Sequence, residues 1–147
     1  MKILIVFLII ISSNFAKADG LYTGAWSHHF TEKSWKRKFP INPNQNLLAY
    51  EYNSYIVGTY QNSLGDTSYL LNKYFDLYKT ENFQYGLYAG AVYGYRFCMG
   101  KNNVSMQDKK TTCLDALPEI RYTKYKLQPA ILLFSEGVAI TFRWQID

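Results

Sequence analysis

After residue 18 the chain has no apolar run long enough to cross a bilayer as a helix. It also lacks a Gly-x-Ser-x-Gly elbow, a Gly-rich phosphate loop and a His-Glu-x-x-His motif, so those hydrolase, nucleotide-binding and zinc-protease signatures are excluded. Histidine and cysteine are scarce: His28, His29, Cys98 and Cys113 are the only ones, and their spacing matches no recognised metal-ligand pattern. No metal and no cofactor is therefore expected. Charge is modest as well. The 16 basic residues less Lys2 and Lys17 leave 14 against 11 acidic ones, a net +3 that calls for no nucleic-acid partner. Apart from Lys33, Lys36, Arg37 and Lys38 the basic residues are scattered. There is no internal repeat, no low-complexity tract and only weak helical periodicity.

What is present begins with an export signal. Lys2 supplies a positive start, Ile3 to Ile11 form an apolar run, and Ala16-Lys17-Ala18 offers a small-residue cleavage site before Asp19. Residues 1–18 read as a signal peptide rather than a retained anchor, and residues 19–147 as one domain. Aromatic residues make up 18% of the chain, with 14 tyrosines. Such residues suit strands, and Tyr and Trp favour membrane interfaces, where one end of the ring is wet and the other apolar.

A closed barrel also satisfies every backbone group inside a bilayer, and its mark is segments of about ten residues alternating in polarity. Period two gives eight such segments. The clearest is Gly137 to Asp147, where Val138, Ile140, Phe142, Trp144 and Ile146 oppose Ala139, Thr141, Arg143 and Gln145. In Leu21 to Thr31, Tyr22, Gly24, Trp26, His28 and Phe30 share one face, and Thr23, Ala25, Ser27 and His29 the other. The remaining segments are Leu47 to Tyr52, Tyr55 to Ser63, Ser68 to Thr80, Phe83 to Phe97, Leu117 to Lys124 and Leu127 to Ser135. Turn-prone residues fall at Asn53-Ser54, Leu64-Gly65-Asp66, Thr80-Glu81-Asn82 and Ser135-Glu136-Gly137. The fold expected is all-β, a small antiparallel eight-stranded transmembrane barrel of the outer membrane. A soluble sandwich or lipocalin-like barrel shares the alternation, but large apolar faces with Tyr and Trp near strand ends favour the membrane.

The alternation predicts an interior holding Glu51, Asp76 and Glu119 with Arg96, Arg121 and Arg143, where opposite charges pair. Lys73 lands on the outward face, where its long stem allows the ammonium to reach an interface. Gly86, Gly90 and Gly94 are expected to relieve crowding inside a narrow barrel. Cys98 and Cys113, in one long loop of an exported chain, are expected to form a disulfide. Closing a loop of about 15 residues contributes roughly 3 kcal/mol.

With both termini at the periplasmic end, the loops Thr31 to Pro43 and Phe97 to Pro118 lie outside, beside His29 and the Ser63 turn. His29 shares the inward face with Ser27, and Ser63 is placed inward on the parity of Thr59 and Gln61. A hydroxyl needs a neighbouring base to act as a nucleophile or give up its proton, and histidine is the usual one. The bland alternative is a pair of polar rim residues without chemistry.

Two segments carry a resemblance. Trp26-Ser27-His28-His29-Phe30 is similar to the histidine segment of the PagP-type lipid A palmitoyltransferases, and Gly58-Thr59-Tyr60-Gln61-Asn62-Ser63 to their Asp-Ser segment. The likeness covers mainly residues 24–68. Asn62 stands where the family has an acid, Asp66 is a candidate substitute, and no amphipathic helix precedes the first strand. The resemblance implies an acyl-chain pocket inside the barrel and transfer of an acyl chain from a phospholipid to lipid A. His29 would then be the base, Ser63 its hydroxyl partner and Asn62 an oxyanion or orienting donor. The partners expected are membrane lipids, phospholipid and lipopolysaccharide, for a monomer in the cell outer membrane. The alternatives are a non-enzymatic surface barrel that blocks a receptor or anchors a partner through its loops, and a soluble secreted ligand-binding barrel.

Overall fold

The structure, a computed structural model, describes residues 19–30, 41–96, 98, 110–134 and 137–146. The proposed signal peptide, the basic residues Lys33, Lys36, Arg37 and Lys38, and most of the loop after Phe97 lie outside the described residues. Eight strands follow in order: β1 (Gly20–His29), β2 (Asn44–Tyr52), β3 (Tyr55–Gln61), β4 (Thr67–Lys79), β5 (Phe83–Tyr95), β6 (Thr111–Tyr122), β7 (Leu127–Phe134) and β8 (Gly137–Gln145). Each pairs antiparallel with its neighbours, and β8 returns to β1 to close the barrel. The β2–β3 connection shows how local chemistry sets register. Asn53 and Ser54 both take positive φ (48° and 68°), as a two-residue type I′ hairpin requires, with Tyr52 opposite Tyr55.

Alternation is clean along β8, where Ala139, Thr141 and Arg143 are buried while Ile140 and Trp144 are exposed. β1 departs from it. Gly24 and Ala25 have φ of 87° and 76°, and the pairing with β8 runs Gly24↔Thr141 then Trp26↔Ile140, so Ala25 is an extra bulged residue. One extra residue exchanges the faces. Tyr22, expected to face outward, is buried in the interior at 3% exposure, while Ala25, Ser27 and His29 beyond the bulge keep the inward face.

The expected start of β6 also moves. The strand begins at Thr111 rather than Leu117, so Pro118 lies within it and Cys113 is a strand residue opposite Val92. The Cys98–Cys113 disulfide is formed, at a sequence separation of 15, and ties β6 to the residues just after β5.

The interior divides into two halves. Nearest the short turns, Arg121 Nη2 forms an ion pair with Glu119 (2.8 Å) and donates to Tyr22 Oη (2.7 Å) and Tyr88 Oη (2.8 Å). The two tyrosines pass their own protons to carboxylates, Tyr22 to Glu51 (2.7 Å) and Tyr88 to Glu119 (2.6 Å). Arg143 donates to Glu51 (2.7 Å) and to Gln128 (3.1 Å). The guanidinium of Arg121 lies 4.6 Å from the centre of the Tyr74 ring. That ring occupies the space over Gly86, where an added Cβ would come within 2.2 Å of the Tyr74 hydroxyl. Two cations and two anions therefore neutralise each other in a dry plug.

Asp76 and Arg96 do not join it. Asp76 is exposed near the β4–β5 turn, where it accepts a hydrogen bond from the Gln84 amide, and Arg96 pairs with Asp66 at the opposite rim (2.9 Å). Lys73 faces outward as expected, its ammonium 5.1 Å from the Tyr55 ring centre and 5.5 Å from that of Phe75.

The plug generates a stability prediction. Breaking a buried pair leaves an uncompensated charge, so Arg121→Met should cost about 3–5 kcal/mol. Adding Glu119→Gln should restore a large part of that loss, because no lone carboxylate then remains. Urea unfolding of the refolded barrel, followed by tryptophan fluorescence, measures both variants. Equal midpoints for the single and double variants would refute this account.

Candidate functional site

Beyond the bulge, β1 carries His29 to the loop end of the barrel with its side chain turned inward. The imidazole is half-buried and meets the ring of Phe134, the last residue of β7, edge-on at 5.0 Å. Ser63 arrives from the other direction, by a route different from the expected one. Thr59 and Gln61 face outward with Val57, so parity alone would turn Ser63 away. The strand instead stops at Gln61, and the following turn rotates Ser63 into the mouth of the barrel.

Asn62 builds that turn. Its side chain is fully buried, and its Oδ1 accepts from the amides of Leu64 (2.9 Å) and Asp66 (3.1 Å). Its Nδ2 donates to Ser68 Oγ (3.1 Å) and to the Gly94 carbonyl (3.3 Å). Both amide protons are thus committed to the barrel wall, and Asn62 is not among the residues lining the interior cavity. This favours the orienting role over the oxyanion one. Two further backbone bonds lace the rim together. Asn42 N–H donates to the Ser63 carbonyl and Ser27 N–H to the Pro43 carbonyl, both at 2.8 Å. The Asn-rich segment before β2 therefore holds β1 and the serine turn in fixed relation.

The result is a side-chain pair, His29 Nε2 and Ser63 Oγ, 3.1 Å apart. That is hydrogen-bonding reach for a nucleophile and its base. Asp66, the candidate substitute for the missing acid, gives both carboxylate oxygens to Arg96, at 2.9 and 3.4 Å.

Below the pair lies a cavity of about 250 Å³. Its wall is largely apolar, with Leu47, Ile56, Leu70, Val92, Leu117 and Leu132 contributing, and its floor is made by Tyr22 and Tyr88 on top of the ionic plug. Of the charged residues expected in the lumen, Glu51, Glu119, Arg121 and Arg143 are there, and all four lie in one half of it. Polar exceptions in the upper half are Gln45, which donates to Ser27 Oγ at 3.1 Å, the hydroxyl-paired Tyr60 and Tyr95 (3.0 Å), and Asn72 with Asp115.

One side of the cavity wall is only partly sewn. β6 and β7 pair at Glu119–Leu132, Ile120–Ile131 and Arg121–Ala130, and nowhere else among the described residues. The first eight residues of β6, Thr111 to Pro118, hold on to β5 alone. Pro118 has no N–H to offer, which suits the end of a ladder. Leu114 is 86% exposed and lines the cavity with Leu117, Leu132 and Phe134, so the cavity borders the part of β6 that has no β7 partner.

Several of these residues escaped the sequence reading. Asp115 lies in a stretch that reads as loop in the sequence. Tyr60 and Asn72 stood on strands already recognised, and parity corrected at β3 would have turned Tyr60 inward. Comparison with family models and with curated proteins finds no match for this chain.

The turn yields its own test. Asn62→Asp keeps the acceptor for the Leu64 and Asp66 amides but sets a carboxylate oxygen against the Gly94 carbonyl in a fully buried site. The expected loss is about 1–3 kcal/mol, read from the unfolding midpoint. An Asn62→Asp barrel as stable as the parent would show that the amide bond to Gly94 contributes nothing.

Proposed function

We propose that the protein is an outer-membrane acyltransferase that moves an acyl chain from a phospholipid to lipid A. The observation that carries this reading is the His29–Ser63 pair at the mouth of an apolar cavity inside a closed barrel. An aliphatic chain lodged in that cavity would present its ester carbonyl at the rim, where the hydroxyl and its base stand. The unsewn β6–β7 stretch gives such a chain a path from the side, so the lipid need not leave its leaflet end-on.

The outer surface supports residence in a membrane. Around the turn end the strands expose Tyr50, Tyr52, Tyr55, Tyr78, Tyr85 and Trp144, and toward the loop end Trp26, Phe30, Tyr69 and Tyr93. Between them lie aliphatic side chains such as Leu48, Val57, Leu71, Ile131 and Ile140. Two aromatic girdles about an apolar band are the outward pattern of a transmembrane barrel. Lys73 sits directly opposite Tyr55 on the neighbouring strand, within reach of the girdle at the turn end.

The chemistry balances in two half-reactions. Ser63 Oγ attacks the phospholipid ester carbonyl while its proton passes to His29 Nε2. The ester C–O bond breaks, the acyl group stays on Ser63, and the lysophospholipid leaves with the proton from His29. A hydroxyl of lipid A then loses its proton to His29 and attacks the acyl-serine, and Ser63 recovers its proton as the product ester departs. Asn62 acts through the turn, as a positioning residue for Ser63.

Lipid mass spectrometry of cells with and without the protein is the central measurement, and a lipid A species heavier by one acyl group is expected. His29→Ala and Ser63→Ala should each abolish that species while the barrel still fractionates with outer membranes and migrates heat-modifiably. Partners in one step are strongly non-additive, so the double variant should be no worse than about either single one. Folded parent protein that leaves the lipid profile unchanged would overturn the transferase reading in favour of a loop-mediated surface role. Recovery as a soluble periplasmic protein without detergent would remove the membrane itself from the account.

A further inference from the structure

Within the apolar half of the barrel, one patch of wall is polar and unsatisfied. Asn72 on β4 pairs with Gly90 on β5, and Gly90 pairs with Asp115 on β6, so the three form a row across three strands. Gly90 has no side chain, and the inward side chains on either side meet across it, Asn72 Nδ2 donating to Asp115 Oδ2 at 3.5 Å. A Cβ on Gly90 would stand 2.4 Å from Asn72 Oδ1 and close this approach. Two acceptors remain, Asn72 Oδ1 and Asp115 Oδ1, each buried with no hydrogen-bond partner. Both residues line the cavity, and Asn72 is only 6% exposed.

A buried acceptor without a donor is costly, and the cost is larger for a carboxylate. Most of the surrounding wall is apolar. The row also has a defined depth. Gly90 lies four residues from Gly94, whose carbonyl is held by Asn62 beside Ser63, and four residues of strand span roughly 13 Å. A chain whose ester carbonyl rests at Ser63 would bring its middle carbons, and neither of its ends, to Asn72 and Asp115.

We infer that Asn72 and Asp115 form a recognition site for a hydroxyl group carried in the middle of an aliphatic chain, making the cavity selective for a hydroxylated acyl group. This rests on the acyl-pocket reading above and deepens it. A hydroxyl that donates to Asp115 Oδ1 and receives from the Asn72 amide engages both residues and satisfies one of the two bare acceptors. A plain methylene at that point leaves both acceptors bare. Sites built to bond a hydroxyl discriminate strongly against the analogue that lacks it.

The test is retention by the full barrel in bilayer nanodiscs, read by native mass spectrometry. The probes are an equimolar mixture of palmitate, palmitate hydroxylated next to the carboxyl group, palmitate hydroxylated at mid-chain, and hexadecylamine. The mid-chain hydroxy acid should be retained over palmitate by about tenfold or more, the least expected for one acceptor left bare. Asp115→Leu and Asn72→Leu should each erase that preference, and Asp115→Asn, which keeps an acceptor, should retain it. Heat-modifiable migration verifies that each variant is folded. Equal retention of palmitate and the mid-chain hydroxy acid would mean that water alone meets the acceptors, and would overturn the inference. So would preference for the amine, or a preference that survives both leucine substitutions. The outcome is separable from catalysis. Hydroxyl preference without acyl transfer leaves this site standing and removes the transferase, whereas transfer without preference does the reverse.

Discussion

Arg121 reaches into the middle of a barrel that has little room for a charge, and the arrangement of the rest of the interior follows from how that charge is met. Its guanidinium is held by Glu119, by two tyrosine hydroxyls and by the face of Tyr74. Those tyrosines spend their own protons on carboxylates, which links Arg121 to Glu51 and so to Arg143. Isolated buried ions are expensive, and a net-neutral cluster with most of its hydrogen bonds formed is the tolerable form. Such a cluster has to be compact and dry. It occupies one half of the lumen, and the cavity with its largely apolar wall lies in the other.

The sealing depends on Tyr22, and Tyr22 depends on a single extra residue. Without the bulge at Ala25, a strand that sends His29 inward would send Tyr22 outward, away from Glu51 and Arg121. With it, one strand supplies both a plug residue and a residue of the candidate site. The positive φ of Ala25 costs about 1–2 kcal/mol in an L-residue, and Gly24 before it shares the distortion at no such penalty. A bulge of this kind cannot be seen in a period-two reading, because Thr23-Gly24-Ala25-Trp26 alternates no less regularly than its neighbours.

The same limit explains what else was and was not legible. The strand number, the inward face of β8, the paired charges Glu51, Glu119, Arg121 and Arg143, the turn at Asn53-Ser54 and the disulfide all follow from local pattern and compartment. β6 was cut short because Pro118 and the polar stretch before it look like loop, whereas β5 supplies a complete ladder on one side and asks nothing of the proline N–H. Ser63 was placed inward by a parity that does not hold at Thr59 and Gln61. It reaches His29 only because Asn62 ends the strand and winds the turn, a tertiary arrangement involving Ser68 and Gly94 that adjacent residues do not announce. Asn72 and Asp115 meet because Gly90 stands between them, and a glycine that leaves space reads in sequence no differently from one that relieves a clash.

Space is the common thread among these particulars. An eight-stranded barrel is just wide enough for side chains to fill its interior, so a cavity exists only where side chains are small or withheld. Ala25, Ala49, Gly90 and Ala139 do this on the walls of the upper half, while Tyr22, Tyr74 and Tyr88 fill the lower. The β6–β7 ladder is short as well: it joins Glu119 to Arg121 with Ala130 to Leu132 at the level of the plug, and most of β6 above it extends past the end of β7. The rigid half and the open half therefore meet at one level of the barrel. The ionic cluster and the resumed ladder together hold the strands closed below that level. Above it the disulfide and the Asn62 turn must keep the rim in register, because the β6–β7 ladder no longer can.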